Sequence, residues 1–495
     1  MDGNERASLP NRASDLVAET LVLDRRSEKP LFQQVYEQIR DLIVDKSLQA
    51  NMALPSTRAL AKDLRVARNT AMIAYGQLET EGYVTTARGA RARVAELPDL
   101  QQAEIITPLP DLSSFMSKRG KTLVDLEHQT GFEQPLRLQP GLPDSRDFPS
   151  ANWRRAMSHQ WPGEVGKASG YHSHGGDSGL RQIVSDYMRA SRGLKCQPEQ
   201  VMITTGAQGA FNLLSQLLID PGDKIMMEDP GYTGARGAFL AAGAQIKPLK
   251  VDEKSWDLEN IETVKPKLIY VTPSCQFPLG QIMRIEQRLS LLKEARAANA
   301  WVIEDDFDSE FSFLKNRLST LQQNDTTGRT IYVGSFSKTM IPDLRVGFVI
   351  FPGKVVKNLR KASFLLGTHP SLSIQRGVAQ FIQEGHFTRH VKSIKRVYDQ
   401  KRQKLIKIIL NELGDKVTQL DDGSGLQTVW KFNVSVDDKE VARRALEKGI
   451  GPTPLSIHFY DSLPVSGLMI GYATTEDSQF PAAVKTLRKI IEDCC

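Results

Sequence analysis

Residues 330–347 read TIYVGSFSKTMIPDLRVG. The β-branched and aromatic run Thr330–Val333 has the composition of a buried strand, and it breaks at Gly334 into a polar turn carrying Ser335, Ser337 and Lys338. A lysine among hydroxyls at the end of a strand is either solvated surface or a reactive amine. Arg345 follows at the head of a second apolar run, VGFVIF.

Outward from this stretch, β-type runs alternate with helical ones: VMIT, AQGAFNLLSQLL, KIMME, ARGAFLAAGA, KLIYVT, RLSLLKEARAAN and WVIE. Strand followed by helix, repeated, predicts a largely parallel sheet covered on both faces. Such sheets bind ligands at the carboxyl ends of their strands, and that rule selects side chains. TTGAQGAFNLL places Gly206, Ala207 and Gln208 at the mouth of a helix just after VMIT, where free N–H groups and the helix dipole face an anion. EDPGYTGAR puts Tyr232 after a strand, and WVIEDDFDSEF puts Asp305 at a strand's end. Ser335, Ser337 and Arg345 add hydroxyls and a cation near Lys338. An amine for an imine, a carboxylate for a pyridine nitrogen, an aromatic face and a phosphate cup are the parts of a pyridoxal phosphate site. Singly, each has a plainer reading as a turn, a helix cap or a solvated lysine. Their shared position at strand ends argues for the site.

The first hundred residues have a different texture. Residues 1–29 are polar and mixed in charge, and read as a loose N-terminal arm. From Pro30, PLFQQVYEQIRDLIVDK spaces Leu31, Val35, Ile39, Leu42 and Ile43 as one helix. LPSTRALAKDL predicts a second, with Ser56 as its N-cap and Leu60, Ala61 and Leu64 inward. NTAMIAYGQLETEG predicts a third, with Ala71, Ala74, Tyr75 and Leu78 inward and Gly82 as its stop. YVTTARGARARVA, broken at Arg88 and Gly89, is a candidate hairpin. Three short helices and a basic hairpin make a winged helix-turn-helix, whose third helix enters the DNA major groove. Between Arg58 and Arg93 stand seven basic and three acidic residues, an excess placed where phosphates would lie. Asn69 and Thr70, at the front of the third helix, are in reach of base edges. From Glu96 to about Gln134 the chain turns rich in Pro, Gln, Ser and Asp, as a tether would.

The whole chain, 495 residues with 40% hydrophobic and 25% charged, is long enough for two or three cores. No apolar run reaches the roughly 18 residues that span a bilayer, and MDGNERASLPNRASD does not read as a signal peptide. A cytoplasmic location without membrane contact is expected. Cys196, Cys275, Cys494 and Cys495 have neither zinc nor disulfide spacing, so no metal site is expected.

LPSTRALAKDLRVARNTAMIAYGQLETEGYV resembles the N-terminal domain of the GntR family of bacterial regulators, over roughly residues 30–95. That resemblance implies DNA contacts at Ser56, Arg58, Arg68, Asn69, Thr70, Arg88 and Gly89. From about Leu138 onward, YHSHGGDSGLRQIVSDYMRASRGLKCQPEQVMITTGAQGAFNLL, VTPSCQFPLG, IEDDFDSEF and YVGSFSKTMIPDLRVG resemble the fold type I aminotransferases. The two-part layout resembles the MocR/GabR subfamily of GntR regulators. It implies a multidomain chain: an arm over 1–29, an α+β winged helix-turn-helix over 30–95, a linker over 96–134, and an α/β pyridoxal-phosphate-binding effector and dimerisation domain over 135–495. It further implies a Schiff base at Lys338, a pyridinium partner at Asp305, stacking by Tyr232, and cofactor contacts from Gly206, Ala207, Gln208, Ser335, Ser337 and Arg345. The partner subunit's Tyr171 would reach the phosphate within a head-to-tail homodimer.

Three positions depart from the pattern. Phe307 stands where a tyrosine hydroxyl usually bonds the cofactor's phenolic oxygen, a charge-assisted hydrogen bond of about 1.5–3 kcal/mol. Cys275 replaces a histidine common in the subfamily; a buried small residue is its plainer reading, and Gln276 is the polar group beside it. No arginine lies between Arg444 and Arg488, so the usual C-terminal grip on a substrate carboxylate is missing. Arg236 and Gln276 are the candidate effector contacts, and Arg236 reads equally as a surface or ion-paired residue. The expected function is a transcriptional regulator that binds double-stranded operator DNA and senses an amino-group-bearing effector by an internal/external aldimine switch at Lys338. Phe307 and the missing arginine weigh against physiological turnover and leave room for residual half-transamination. A working aminotransferase with an accessory DNA-binding domain is the competing reading. A cofactor-free repressor whose large domain is only a dimerisation scaffold is a third.

Overall fold

The computed structural model describes residues 12–87, 90–98, 116–127, 134–158, 160, 175–252, 255–313, 319–353 and 356–495. The chain divides into two compact units, Met1–Asp111 and Leu112–Cys495.

In the first unit α2 (Leu31–Val44), α3 (Thr57–Asp63) and α4 (Arg68–Thr80) form where the apolar spacing predicts them. Val35, Ile39, Leu60, Ala71, Ala74 and Leu78 are wholly buried in one shared core. The Ser56 side chain accepts from the Ala59 N–H at 3.1 Å and so caps α3. Gly82 takes a left-handed φ of 81° just past α4. Strands β1 (Val84–Thr85) and β2 (Arg93–Val94) pair antiparallel as the wing, with Thr85 opposite Arg93. The loose arm is corrected over part of its length. α1 (Arg12–Thr20) is a helix whose Ala13 and Val17, followed by Leu21, pack into the same core. Three apolar residues one or two helical turns apart were enough to dock a segment whose composition is polar.

The second unit is built on a seven-stranded mixed sheet. Its strands are β3 (Val201–Thr205), β4 (Lys224–Asp229), β5 (Gln245–Lys250), β6 (Leu268–Val271), β7 (Trp301–Asp305), β8 (Thr330–Ser335) and β9 (Val346–Ile350). They lie in the order β3-β9-β8-β7-β6-β4-β5, and only β9 runs against its neighbours. The near-continuous apolar burial of β6, β8 and β9 reflects cover on both faces. One face packs on α8 (Gly206–Leu218) and α9 (Thr233–Ala241), with Phe211, Leu214 and Phe239 inward. The remaining cover includes α6 (Ser150–Ser158) and α7 (Ser178–Arg192). A second, antiparallel sheet follows, with β10 (Val417–Gln419), β11 (Gln427–Phe432), β12 (Thr453–Pro454) and β13 (Gly467–Gly471) in the order β10-β11-β13-β12. The long helix His386–Leu413 and the helices Asp438–Glu447 and Phe480–Cys494 share a core with it.

The stretch expected as a tether carries structure of its own. α5 (Lys118–Val124), capped by Ser117, packs on α9, and a Cβ at Gly237 would stand 3.5 Å from Leu126 and 3.7 Å from Leu123.

Candidate cofactor site and nucleic-acid interface

Chain direction alone gathers the site. Gly206 follows β3, Tyr232 follows β4, Asp305 ends β7, and Ser337 and Lys338 follow β8, so all sit at one edge of the sheet. Arg345 precedes β9, and because β9 is reversed its beginning lies at that same edge. A cavity of about 650 Å³ opens there, lined by Ala207, Gln208, Tyr232, Asp305, Ser335, Ser337, Lys338 and Arg345 among others.

One end of the cavity is made for an anion. α8 begins with no side-chain cap, which leaves its first N–H groups unused by any side chain among the described residues. Gly206 has a φ of 67°, and a Cβ there would point 3.7 Å from the Arg345 guanidinium carbon and 3.9 Å from the Ser337 hydroxyl. The same glycine must admit β9, since a Cβ on Gly347 would come within 2.7 Å of the Gly206 backbone. The Ser337 N–H donates to Ser335 Oγ at 3.1 Å, and Ser335 Oγ donates to Ser337 Oγ at 3.0 Å. Arg345 holds a left-handed φ of 50°, a costly conformation for a residue with a Cβ.

At the other end, Lys338 Nζ donates to the Gly141 carbonyl oxygen. Asp305 is buried and accepts from the Tyr270 hydroxyl at 2.6 Å. Burial raises its carboxyl to about 7 against the lowering pull of Tyr270, and the nearby Asp306 and Glu228 add to the rise. Tyr232 packs edge-on against Phe211 and Phe277, at 6.2 and 5.4 Å between ring centroids. Phe307 lines the cavity and meets Phe277 edge-on at 5.9 Å.

These residues suit pyridoxal phosphate. A helix mouth, two hydroxyls and an arginine match a phosphate dianion, and a buried carboxylate with a single donor matches a pyridinium N–H. Tyr171, expected as a partner-subunit contact, lies outside the described residues. Cys275 is buried and outside the cavity, its Sγ 3.4 Å from where a Cβ on Gly425 would stand. Gln276 is not placed to meet an effector. Its amide donates to the carbonyls of Pro230 and Phe277 at 2.8 and 2.7 Å and accepts from the Leu279 N–H at 3.0 Å, so it clips a loop. Arg236 is buried and neither surface nor ion-paired among the described residues. Sequence reasoning missed Tyr270 and Phe277, whose roles arise from segments far apart in the chain, and Thr233 and His458, which line the same cavity. Tyr270, inside KLIYVT, could have been found as the one polar tip in an otherwise apolar strand.

In the first unit, Arg58, Arg68 and Asn69 are exposed and Thr70 is half-buried. Arg68 and Asn69 open α4, which exposes Met72 and Ile73 one turn further on. Exposed apolar side chains on a recognition helix suit thymine methyl groups, a feature sequence reasoning also missed. Glu79 and Glu81, two of the three acidic residues near this face, bond Thr86 and Tyr36. Arg88 and Gly89 lie outside the described residues.

Residues 31–94 match the family of bacterial regulatory proteins, gntR family, and residues 140–487 match aminotransferase class I and II. The probable rhizopine catabolism regulatory protein MocR of Rhizobium meliloti is 36% identical over 94% of this chain and 95% of its own. The chain belongs to the MocR-type GntR regulators. Another similar protein is the HTH-type pyridoxine biosynthesis transcriptional regulator PdxR of Corynebacterium glutamicum, 29% identical over 90% of this chain and 92% of its own. Among solved structures, the MocR-type large unit resembles LysN, the alpha-aminoadipate aminotransferase of Thermus thermophilus complexed with N-(5'-phosphopyridoxyl)-L-leucine. That likeness has a TM-score of 0.69 at 26% identity and covers 78% of this chain and 99% of the other. In this chain a GntR helix-turn-helix is joined to a fold type I aminotransferase domain. Among the described residues no helix is long and apolar enough to cross a membrane, and no cluster of potential metal ligands occurs.

Proposed function

We propose that this chain is a pyridoxal-phosphate-dependent regulator of transcription that binds operator DNA as a homodimer and responds to an amine-bearing effector at Lys338. The observation that carries the reading is the convergence of Lys338, Asp305 and an anion cup in one cavity, on a chain whose other unit is a GntR helix-turn-helix.

When bound, pyridoxal phosphate supplies an aldehyde that condenses reversibly with primary amines. Lys338 presents the chain's own amine, steadied by the Gly141 carbonyl. Asp305, oriented by Tyr270, would hold the proton of the pyridine nitrogen. The N–H groups opening α8, with Ser335, Ser337 and Arg345, would bind the phosphate, and Tyr232 would cover the ring face. α5 lines the same cavity through Leu123, and the chain from it runs back through residues 99–115 to the DNA-binding unit. An effector that displaces Lys338 thus acts on a wall covalently continuous with that unit.

Borohydride reduction of the purified protein, followed by peptide mass analysis, should find a pyridoxyl group on Lys338. An unmodified Lys338 would overturn the reading. Steady turnover of an amine with a keto acid would instead favour the aminotransferase.

A further inference from the structure

Behind the cavity lies a group of buried polar atoms that nothing among the described residues satisfies. Arg236 is 7% exposed, and its Nε and Nη1 have no acceptor. His458 is 7% exposed, and neither ring nitrogen has a partner. Thr233 is 8% exposed with an unpartnered hydroxyl. Thr233 and His458 line the cavity itself. Arg236 lies one turn along α9 from Thr233, on the same face of the helix.

The carboxylate whose field reaches Arg236 does not pair with it. The Asp229 oxygens are taken by the N–H groups of Tyr460, Asp461 and Ser462, at 3.0, 3.1 and 2.6 Å. The guanidinium instead rests over the Tyr460 ring, 5.0 Å from its centroid, which orients it without neutralising it. Burial and the charge of Arg236 keep His458 neutral, its pKa held at about 3. A buried cation, a neutral imidazole and a hydroxyl, each with polar atoms that find no hydrogen-bond partner among the described residues, are the donor set of an anion subsite.

An aromatic wall sets the subsite apart from the proposed cofactor face. Tyr232, Phe277 and His458 form a row, with ring centroids 5.4 and then 4.9 Å apart, leading from the proposed cofactor face to the subsite. No C-terminal arginine lines the cavity; Ile457 and Met469 do. We propose that Arg236, His458 and Thr233 bind a carboxylate or sulfonate carried several bonds from the effector's amine. This rests on the reading of Lys338 as the amine-exchanging group.

The full-length protein with its cofactor is titrated by visible absorbance with propylamine, alanine, 3-aminopropanoate and 3-aminopropanesulfonate. The two amines with a distal anion should bind about tenfold or more tighter than propylamine, as one charge-assisted contact set allows. The better of the two names the anion. Alanine, whose carboxylate adjoins its nitrogen, should gain little. Arg236→Gln should collapse the ratio between propylamine and its anionic analogues, and Thr233→Val should reduce it in part. Propanoate and propanesulfonate, which lack an amine, should raise the unfolding midpoint of the wild type and not of Arg236→Gln. Equal binding of all four amines by the wild type, or a preference surviving in Arg236→Gln, would overturn the subsite. A protein without the cofactor's absorbance would overturn the reading of Lys338 instead, and the amine-free anions would then decide the subsite alone.

Discussion

At the Asp305 carboxyl, stability and cofactor binding pull in opposite directions. Among the described residues no ion pair compensates it, and burial lifts it to about 7 from an unfolded value near 4. Between those values the folded chain holds a proton that the unfolded chain has released. Stability therefore falls as pH rises through this window, and the ionised carboxyl is a burden above it. Asp305→Asn removes that burden. In cofactor-free protein the variant should gain in thermal midpoint relative to wild type, more at pH 8 than at pH 5, as followed by thermal unfolding. With cofactor the sign reverses, because a pyridinium gives the ionised Asp305 its missing partner, and Asp305→Asn should lose affinity by about tenfold or more in a cofactor titration. A gain that did not depend on pH would show that the carboxyl was never raised by burial. The positions of Lys338, Asp305 and Tyr232 were legible in the sequence because each lies at or within three residues of a strand's end, and strand ends fix where such residues go. Arg236 was visible only as a candidate, since its surroundings depend on His458 and Tyr460, which come from a distant part of the chain.

Elements show the same division between local and distant causes. The three helices of the first unit and the alternation of the second announce themselves by period, and the Ser56 cap needs only its neighbours. α1 was hidden because residues 1–29 are polar overall, yet Val17 is wholly buried. Val17→Ala should cost the first unit about 1–3 kcal/mol and lower its unfolding midpoint by several degrees; a loose arm would show no change. α5 was hidden by its KRGKTLV sequence, whose only large apolar residues are Leu123 and Val124. What fixes it is its packing on α9, where Leu123 lies beside Gly237, a contact that no periodicity announces. If α5 carries the signal, Gly237→Leu, which crowds Leu123 and Leu126, should weaken the effect of effector on DNA affinity. The cofactor's absorbance should remain, and mobility-shift titrations with and without effector would measure the difference.

For the molecule as a whole, the division into two units predicts that DNA binding and amine sensing can be removed separately. A ligand shifts DNA affinity only through its differential affinity for two arrangements of the molecule, so removing the effector's point of attachment should leave the effector-free arrangement in place. Lys338→Ala should therefore bind operator with unchanged affinity in the absence of effector and show no change when it is added. Arg68, exposed at the start of α4, would meet a phosphate by its charge and position. Arg68→Ala should weaken binding to specific and unrelated DNA alike and reduce the slope of log affinity against log salt by about 1, the release of one counterion. Its cofactor absorbance and amine titration should match the wild type. In the double variant the loss of DNA affinity should equal that of Arg68→Ala alone, because the two residues belong to separate units with separate cores. A double variant that bound DNA markedly better or worse than Arg68→Ala would mean that Lys338 biases the DNA-binding arrangement even without effector. The large unit would then be a constitutive constraint on the helix-turn-helix as well as its sensor.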